Sequence, residues 1–222
     1  MVGDAGGMPM TDLSTLSLPE WARGAAVVES PVLIKPEWWR DEISARHLPG
    51  TPPVEDRITR AGVRAPADDV FTLLWRTLAW GSGRYLRLNA QRLTSIAADV
   101  PRCEKLLTEA ADRARSDPGA AFALFRPGVR NEIRYLGPSF FTKFLYFAGG
   151  GAPDHPCLIL DRRVATVLRE RCGWTSLHRK GPWPAETYER YCGLLARWGR
   201  ENHCTPDEIE LTLFNIFSVD QN

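Results

Sequence analysis

Lys143 and Asp161 are the two side chains of this sequence whose types and spacing could do covalent chemistry together. An uncharged lysine amine is a nucleophile that attacks electrophilic carbon and can go on to a Schiff base, and burial or neighbouring positive charge favours that uncharged form. A carboxylate beside it in a water-poor site would stabilise positive charge developing on the attacked carbon. The side chains that could tune the amine are Phe140, Phe141, Phe144 and Arg162.

Each residue also has a plainer role. Lys143 interrupts the aromatic run from Phe140 to Phe147 and, alone, is the exposed position of an amphipathic helix whose stem snorkels along apolar surface. Asp161 stands just before Val164, Val167, Leu168 and Arg171, which recur at helical spacing, so it falls where an N-cap belongs.

The flanking sequence shows how the two would be positioned. Ile133 and Leu136 suggest a helix that breaks at Gly137-Pro138-Ser139, and the apolar run after it predicts a second helix, so residues 132–148 form a helix-hairpin-helix pattern. A Gly/Pro loop follows, then Cys157-Leu158-Ile159-Leu160, which leads into Asp161.

Elsewhere the signals are helical as well. Residues 31–66 hold six prolines and the Trp38-Trp39 pair, with short helical turns expected around Pro36 to Ala45. Asp68 or Asp69 caps a helix through Val70, Phe71, Leu74 and Leu78 that Gly81-Ser82-Gly83 should stop. Helices are expected over Arg84 to Ala98 and within 103–125, and another carries Tyr188, Tyr191, Leu194, Leu195 and Trp198 on a core-facing side. Thr205-Pro206-Asp207-Glu208 opens a last helix with cap, proline and capping-box glutamate. Strand signals are nearly absent. The expectation is an all-α fold, in one domain over 31–222 or two packed helical lobes, behind a loosely ordered arm of residues 1–30.

The stretch Leu136-Gly137-Pro138-Ser139-Phe140-Phe141-Thr142-Lys143, the Gly/Pro loop and Asp161 with its arginine-rich helix resemble the signature region of the helix-hairpin-helix DNA glycosylases, the 8-oxoguanine branch in particular. The resemblance follows helix order over roughly 68–217, with its specific part about 40 residues long. It implies that Lys143 is the catalytic lysine and Asp161 the carboxylate that stabilises charge on the sugar as the bond to the base breaks. It also implies that the hairpin holds a DNA phosphate through backbone amides, so Gly137, Ser139, Phe140, Thr142, Arg162 and Arg163 become DNA-binding candidates. The target base must leave the stack and be held between apolar walls, for which Trp80, Phe214 and Phe217 are candidates. One departure bears on the grip: such hairpins usually carry two glycines flanking an apolar residue, whereas Pro138 follows Gly137 here and has no N–H.

Two functions follow. One is a DNA glycosylase, with or without abasic-site lyase activity, acting on duplex DNA with an oxidised or otherwise modified base. The other is a non-catalytic helix-hairpin-helix DNA-binding module or subunit of a defence or repair complex, which would have no chemical need for the Lys143 and Asp161 pair.

Composition narrows the rest. The net charge of +1 argues against a protein that coats nucleic acid non-specifically. Basic residues nonetheless cluster at Arg126, Arg130, Arg134 and Lys143, and again at Arg162, Arg163, Arg169 and Arg171; alone, these read as solvated helix faces. Five cysteines at wide spacings fit a reducing compartment better than a disulfide framework, and no CxxC supplies zinc or iron-sulfur ligands, so neither metal nor cofactor is expected. No apolar run spans a membrane, and the first thirty residues lack a basic n-region and unbroken apolar h-region. A cytoplasmic, nucleoid-associated monomer is expected. His155 and His178 are assigned no role.

Overall fold

The computed structural model describes residues 11–18, 31–149 and 156–219. Ten α-helices account for nearly all of the regular structure among them: α1 (Pro36–Ala45), α2 (Arg60–Arg64), α3 (Val70–Ser82), α4 (Asn89–Ala97), α5 (Val100–Arg113), α6 (Pro118–Phe125), α7 (Pro138–Ala148), α8 (Arg162–Glu170), α9 (Ala185–Glu201) and α10 (Pro206–Val219). Two short strands, β1 (Val32–Leu33) and β2 (Arg57–Ile58), pair antiparallel with Val32 opposite Ile58. The fold is all-α, and among the described residues no helix is long and apolar enough to cross a membrane.

Local chemistry starts these helices where they start. Asp69 accepts from the Phe71 and Thr72 amides, Asp99 from Arg102 and Asp117 from Ala120, each satisfying N–H groups that the helix leaves open. At the head of α10 the Glu208 carboxylate reaches back 2.7 Å to the Thr205 amide, as the capping-box spacing predicts. Helices α5, α6 and α7 each carry proline in the first turn, where its missing N–H costs nothing.

The buried side chains, from Leu16 to Leu213, form one connected cluster. Its centre is aromatic: α7 meets α6 through Phe141, which stacks on Phe125 at 4.9 Å and meets Phe122 edge-on at 4.7 Å. The extended segment Cys157–Leu160 runs through this core, where its backbone needs partners. Tyr188 supplies them on both sides of Leu158, donating to its carbonyl at 2.7 Å and accepting from its amide at 3.1 Å. Tyr191 donates to the Ile159 carbonyl at 2.7 Å. The tyrosine stripe of α9 is therefore more than packing, since it holds the segment that delivers Asp161.

Two expectations are corrected and one holds. Residues 132–136 are not helical, so the first helix of the expected pattern over 132–148 is absent; turns and bends from Arg126 to Gly137 join α6 to α7. Ile133 and Leu136 are buried as expected, but from a turn closed by a 3.2 Å bond between the Leu136 amide and the Ile133 carbonyl. Gly81-Ser82-Gly83 stops α3 as expected, the helix running to Ser82 and ending at Gly83 with φ 55. Part of the N-terminal arm is packed: Leu16 and Leu18 are buried, and the Leu16 carbonyl accepts from Arg197 at 2.7 Å and Trp198 at 3.3 Å. Residues 1–10 and 19–30 of that arm, and most of the Gly/Pro loop with His155, lie outside the described residues.

Candidate active site

Helix α7 and the N-terminus of α8 bring Lys143 and Asp161 together. Lys143 lies in the second turn of α7, with its side chain only 10% exposed. Its Nζ donates to the Ser139 carbonyl at 2.7 Å and to Asp161 Oδ2 at 3.5 Å. The expected exposed position on an amphipathic helix is thus not where the chain puts it.

Asp161 divides its two oxygens between two tasks. Oδ1 accepts from the Arg163 amide at 2.9 Å and the Val164 amide at 3.2 Å, which caps α8. Oδ2 faces the lysine. The cap fixes the carboxylate's rotamer, so its second oxygen is aimed by the same bonds that begin the helix.

Neighbouring groups set the distance and surroundings. Thr142 is fully buried; its hydroxyl donates to the Pro138 carbonyl at 2.7 Å and accepts from the Leu160 amide at 3.2 Å. It has no surface to offer a DNA backbone, so its assignment to DNA contact gives way to one of tying α7 to the residue before Asp161. Gly81 of α3 lies against the lysine: a Cβ there would stand 3.0 Å from Lys143 Cδ and 3.1 Å from Phe140 Cε1. Phe140 is half-buried, its ring centroid 5.7 Å from Lys143 Nζ and 3.8 Å from the Arg92 guanidinium. Burial pushes Arg92 down to about 10, still charged at neutral pH; it donates to the Tyr135 carbonyl at 2.9 Å and so braces the hairpin turn.

At the hairpin's end Gly137 is the N-cap of α7, and its carbonyl accepts from both the Phe140 and Phe141 amides. Pro138 has no N–H. The Ser139 amide is left as the donor of that first turn without a partner among the described residues.

A buried polar network that sequence reasoning missed stands behind the pair. Arg60 donates to Glu210 at 3.1 Å and to the Tyr146 hydroxyl at 3.1 Å, and Tyr146 donates to Asp207 at 2.9 Å. Burial pushes the Glu210 carboxyl up against the opposing pull of Arg60, with the charge of Asp161 raising it further and that of Lys143 lowering it. Burial opposes the charge on Arg60 too, but Glu210 and Tyr146 more than offset it, and the guanidinium stays protonated. One sequence signal was available: Glu210 lies three, four and seven residues before Leu213, Phe214 and Phe217, on the apolar side of α10.

Among the described residues, two of the three candidates for a base pocket, Trp80 and Phe217, line separate cavities. Trp80 lines a space of about 600 Å³ with Lys35, Gly81 and the 92% exposed Tyr85, and its indole N–H is buried with no partner among the described residues. Phe217 lines a separate groove, and Phe214 lies under the Arg163 guanidinium at 4.6 Å. Arg162 and Arg163 are exposed at the start of α8. Among the described residues no cluster of His, Cys, Asp and Glu is arranged to hold a metal ion.

Residues 25–214 match the family model described as "Putative 8-oxoguanine DNA glycosylase OGG-like protein". No curated protein and no solved structure matches the chain.

Proposed function

Because the chain belongs to this OGG-like family, we propose that it excises an oxidised or otherwise modified base, 8-oxoguanine first among them, from duplex DNA. Lys143 is the nucleophile and Asp161 its electrostatic partner. The observation that carries this reading is the 3.5 Å pairing of a buried lysine with the free oxygen of a capping aspartate.

In this mechanism the damaged nucleotide swings out of the stack, at a cost of a few kcal/mol that a damaged base lowers. Cleavage of the N-glycosidic bond sends its electron pair to the base and leaves positive charge on the sugar, which Asp161 Oδ2 faces and stabilises. The Lys143 amine attacks C1′, and the proton it sheds neutralises the departing base anion. Ring opening then gives a Schiff base. Water releases the sugar from that imine, or elimination of the 3′ phosphate nicks the strand first.

Quantifying free base released from duplexes carrying 8-oxoguanine tests the proposal. Wild type is expected to release it and Lys143→Gln to release none; no release from any modified duplex by wild type contradicts it. The reading as a binding module draws on Pro138, which removes a donor from the hairpin, but leaves the buried Lys143–Asp161 pair without a purpose. A monomer acting on DNA in the cytoplasm is the accompanying proposal.

A further inference from the structure

We propose that the groove beside α8, between that helix and the connection 171–183, is a track for the phosphodiester backbone of duplex DNA, in addition to the hairpin. The DNA occupant rests on the function proposed above; the groove itself does not. It has a volume of about 630 Å³ and is lined by Arg162, Arg169, Arg171, His178, Arg179 and Lys180, with Glu170 as the single carboxylate.

Charge distribution makes this groove unusual for its chain. Five permanent cations meet one carboxylate here, while the whole protein carries a net charge of only +1. The excess is therefore local, and the remaining surface is net acidic. A polyanion would be drawn to this face.

The groove suits a linear polyanion better than a single phosphate. Its cations are not gathered around one point: Arg162 and Arg169 are seven residues apart along α8, about 10 Å at the rise of a helix. That length covers about three phosphates of one DNA strand. The far wall is braced. The Trp174 amide bonds to the Leu168 carbonyl at 3.0 Å, the Trp183 indole to the His178 carbonyl at 2.6 Å, and Arg169 to the Leu177 carbonyl at 3.0 Å. Position links it to the reacting pair, because the groove begins at Arg162, the residue after Asp161, whose guanidinium lies 5.8 Å from the Phe217 ring.

The two cations of the far wall best suited to substitution are Arg179 and Lys180, both exposed; Arg179 pairs with Glu170 at 2.7 Å at the surface, where such a pair contributes little to folding. The test is fluorescence anisotropy of the full chain with an undamaged, labelled duplex across a salt series. It compares wild type, Arg179→Ala with Lys180→Ala, and a control pair, Lys105→Ala with Arg115→Ala, outside the groove. The groove pair is expected to weaken binding and lower the slope of log K against log salt by about two. The control pair should change neither.

An unchanged slope in the groove pair, or an equal loss in the control pair, overturns the proposal. Displacement of the duplex by inorganic phosphate at constant ionic strength also overturns it, by showing a discrete anion site. Base release is scored on the same preparations: a lowered slope without base release keeps the groove and removes the glycosylase reading, and base release with an unchanged slope does the reverse.

Discussion

The hydroxyl of Thr142 and the amide of Leu160 lie 3.2 Å apart, and that bond joins the helix bearing the lysine to the segment that delivers the aspartate. Thr142 precedes Lys143 and Leu160 precedes Asp161, so one buried hydroxyl helps to set the distance between Lys143 and Asp161. Thr142→Val keeps the shape and leaves the buried Leu160 amide unpaired, which costs about 1–3 kcal/mol. Thermal melts should show that loss, and base release should slow by more than the unfolded fraction accounts for. Thr142→Ser should recover both; slow release in Thr142→Ser with normal stability would show that the hydroxyl does not position the pair.

The divided carboxylate of Asp161 separates stability from chemistry. Asp161→Asn keeps a capping oxygen and should lose little stability, whereas Asp161→Ala loses the cap at about 1 kcal/mol and leaves Lys143 without its partner. Both should lose base release. Urea melts of the three proteins check the order, and equal stability of Asn and Ala variants would remove the cap from the explanation.

Gly81 of α3 lies against Lys143 and Phe140. Alanine in a helix interior usually gains about 1 kcal/mol over glycine, but here its Cβ would press on Lys143 Cδ at 3.0 Å. Gly81→Ala is expected to fold with nearly wild-type stability and to release base more slowly, because the flexible lysine stem is what gives way. Wild-type rates would show that the stem moves without moving the amine.

The Arg60–Glu210 pair predicts a pH dependence with a definite sign. Burial raises the Glu210 carboxyl above its ordinary 4.5, so its contribution is fully present below that value and is lost as pH rises through the raised one. The stability of wild type minus that of Glu210→Gln should therefore fall as pH increases from about 4.5. Melting both proteins over that range checks it; a difference that grows with pH would mean that the attraction of Arg60 outweighs burial.

The five cysteines give a check on the core. Cys103, Cys157, Cys172 and Cys192 are buried, burial pushes Cys157 and Cys172 up to about 12, and Cys204 is partly exposed. A thiol reagent at neutral pH should reach Cys204 first and the other four only on unfolding. Rapid native reaction of Cys157 would contradict the burial of the Cys157–Leu160 segment.

Much of this was legible before the structure because it is local. Asp69, Asp161 and Thr205-Pro206 announce helix starts through capping chemistry, and the spacing of Val164, Val167 and Leu168 fixes the buried face of α8. What was missed depends on distance in the chain. Arg60 and Glu210 are 150 positions apart, and nothing local marks them as partners. Ile133 and Leu136 carry helical spacing, but turns bury them equally well, so the helix expected there is absent.

Borohydride trapping on labelled duplexes carrying 8-oxoguanine, uracil or an abasic site tests the role of Lys143 most directly, because reduction freezes a lysine Schiff base as a covalent adduct. Wild type is expected to give an adduct on the 8-oxoguanine duplex, Lys143→Gln none, and Asp161→Asn far less. An adduct of wild-type strength in Lys143→Gln, or none with wild type on any duplex that it measurably binds, would contradict Lys143 as the nucleophile.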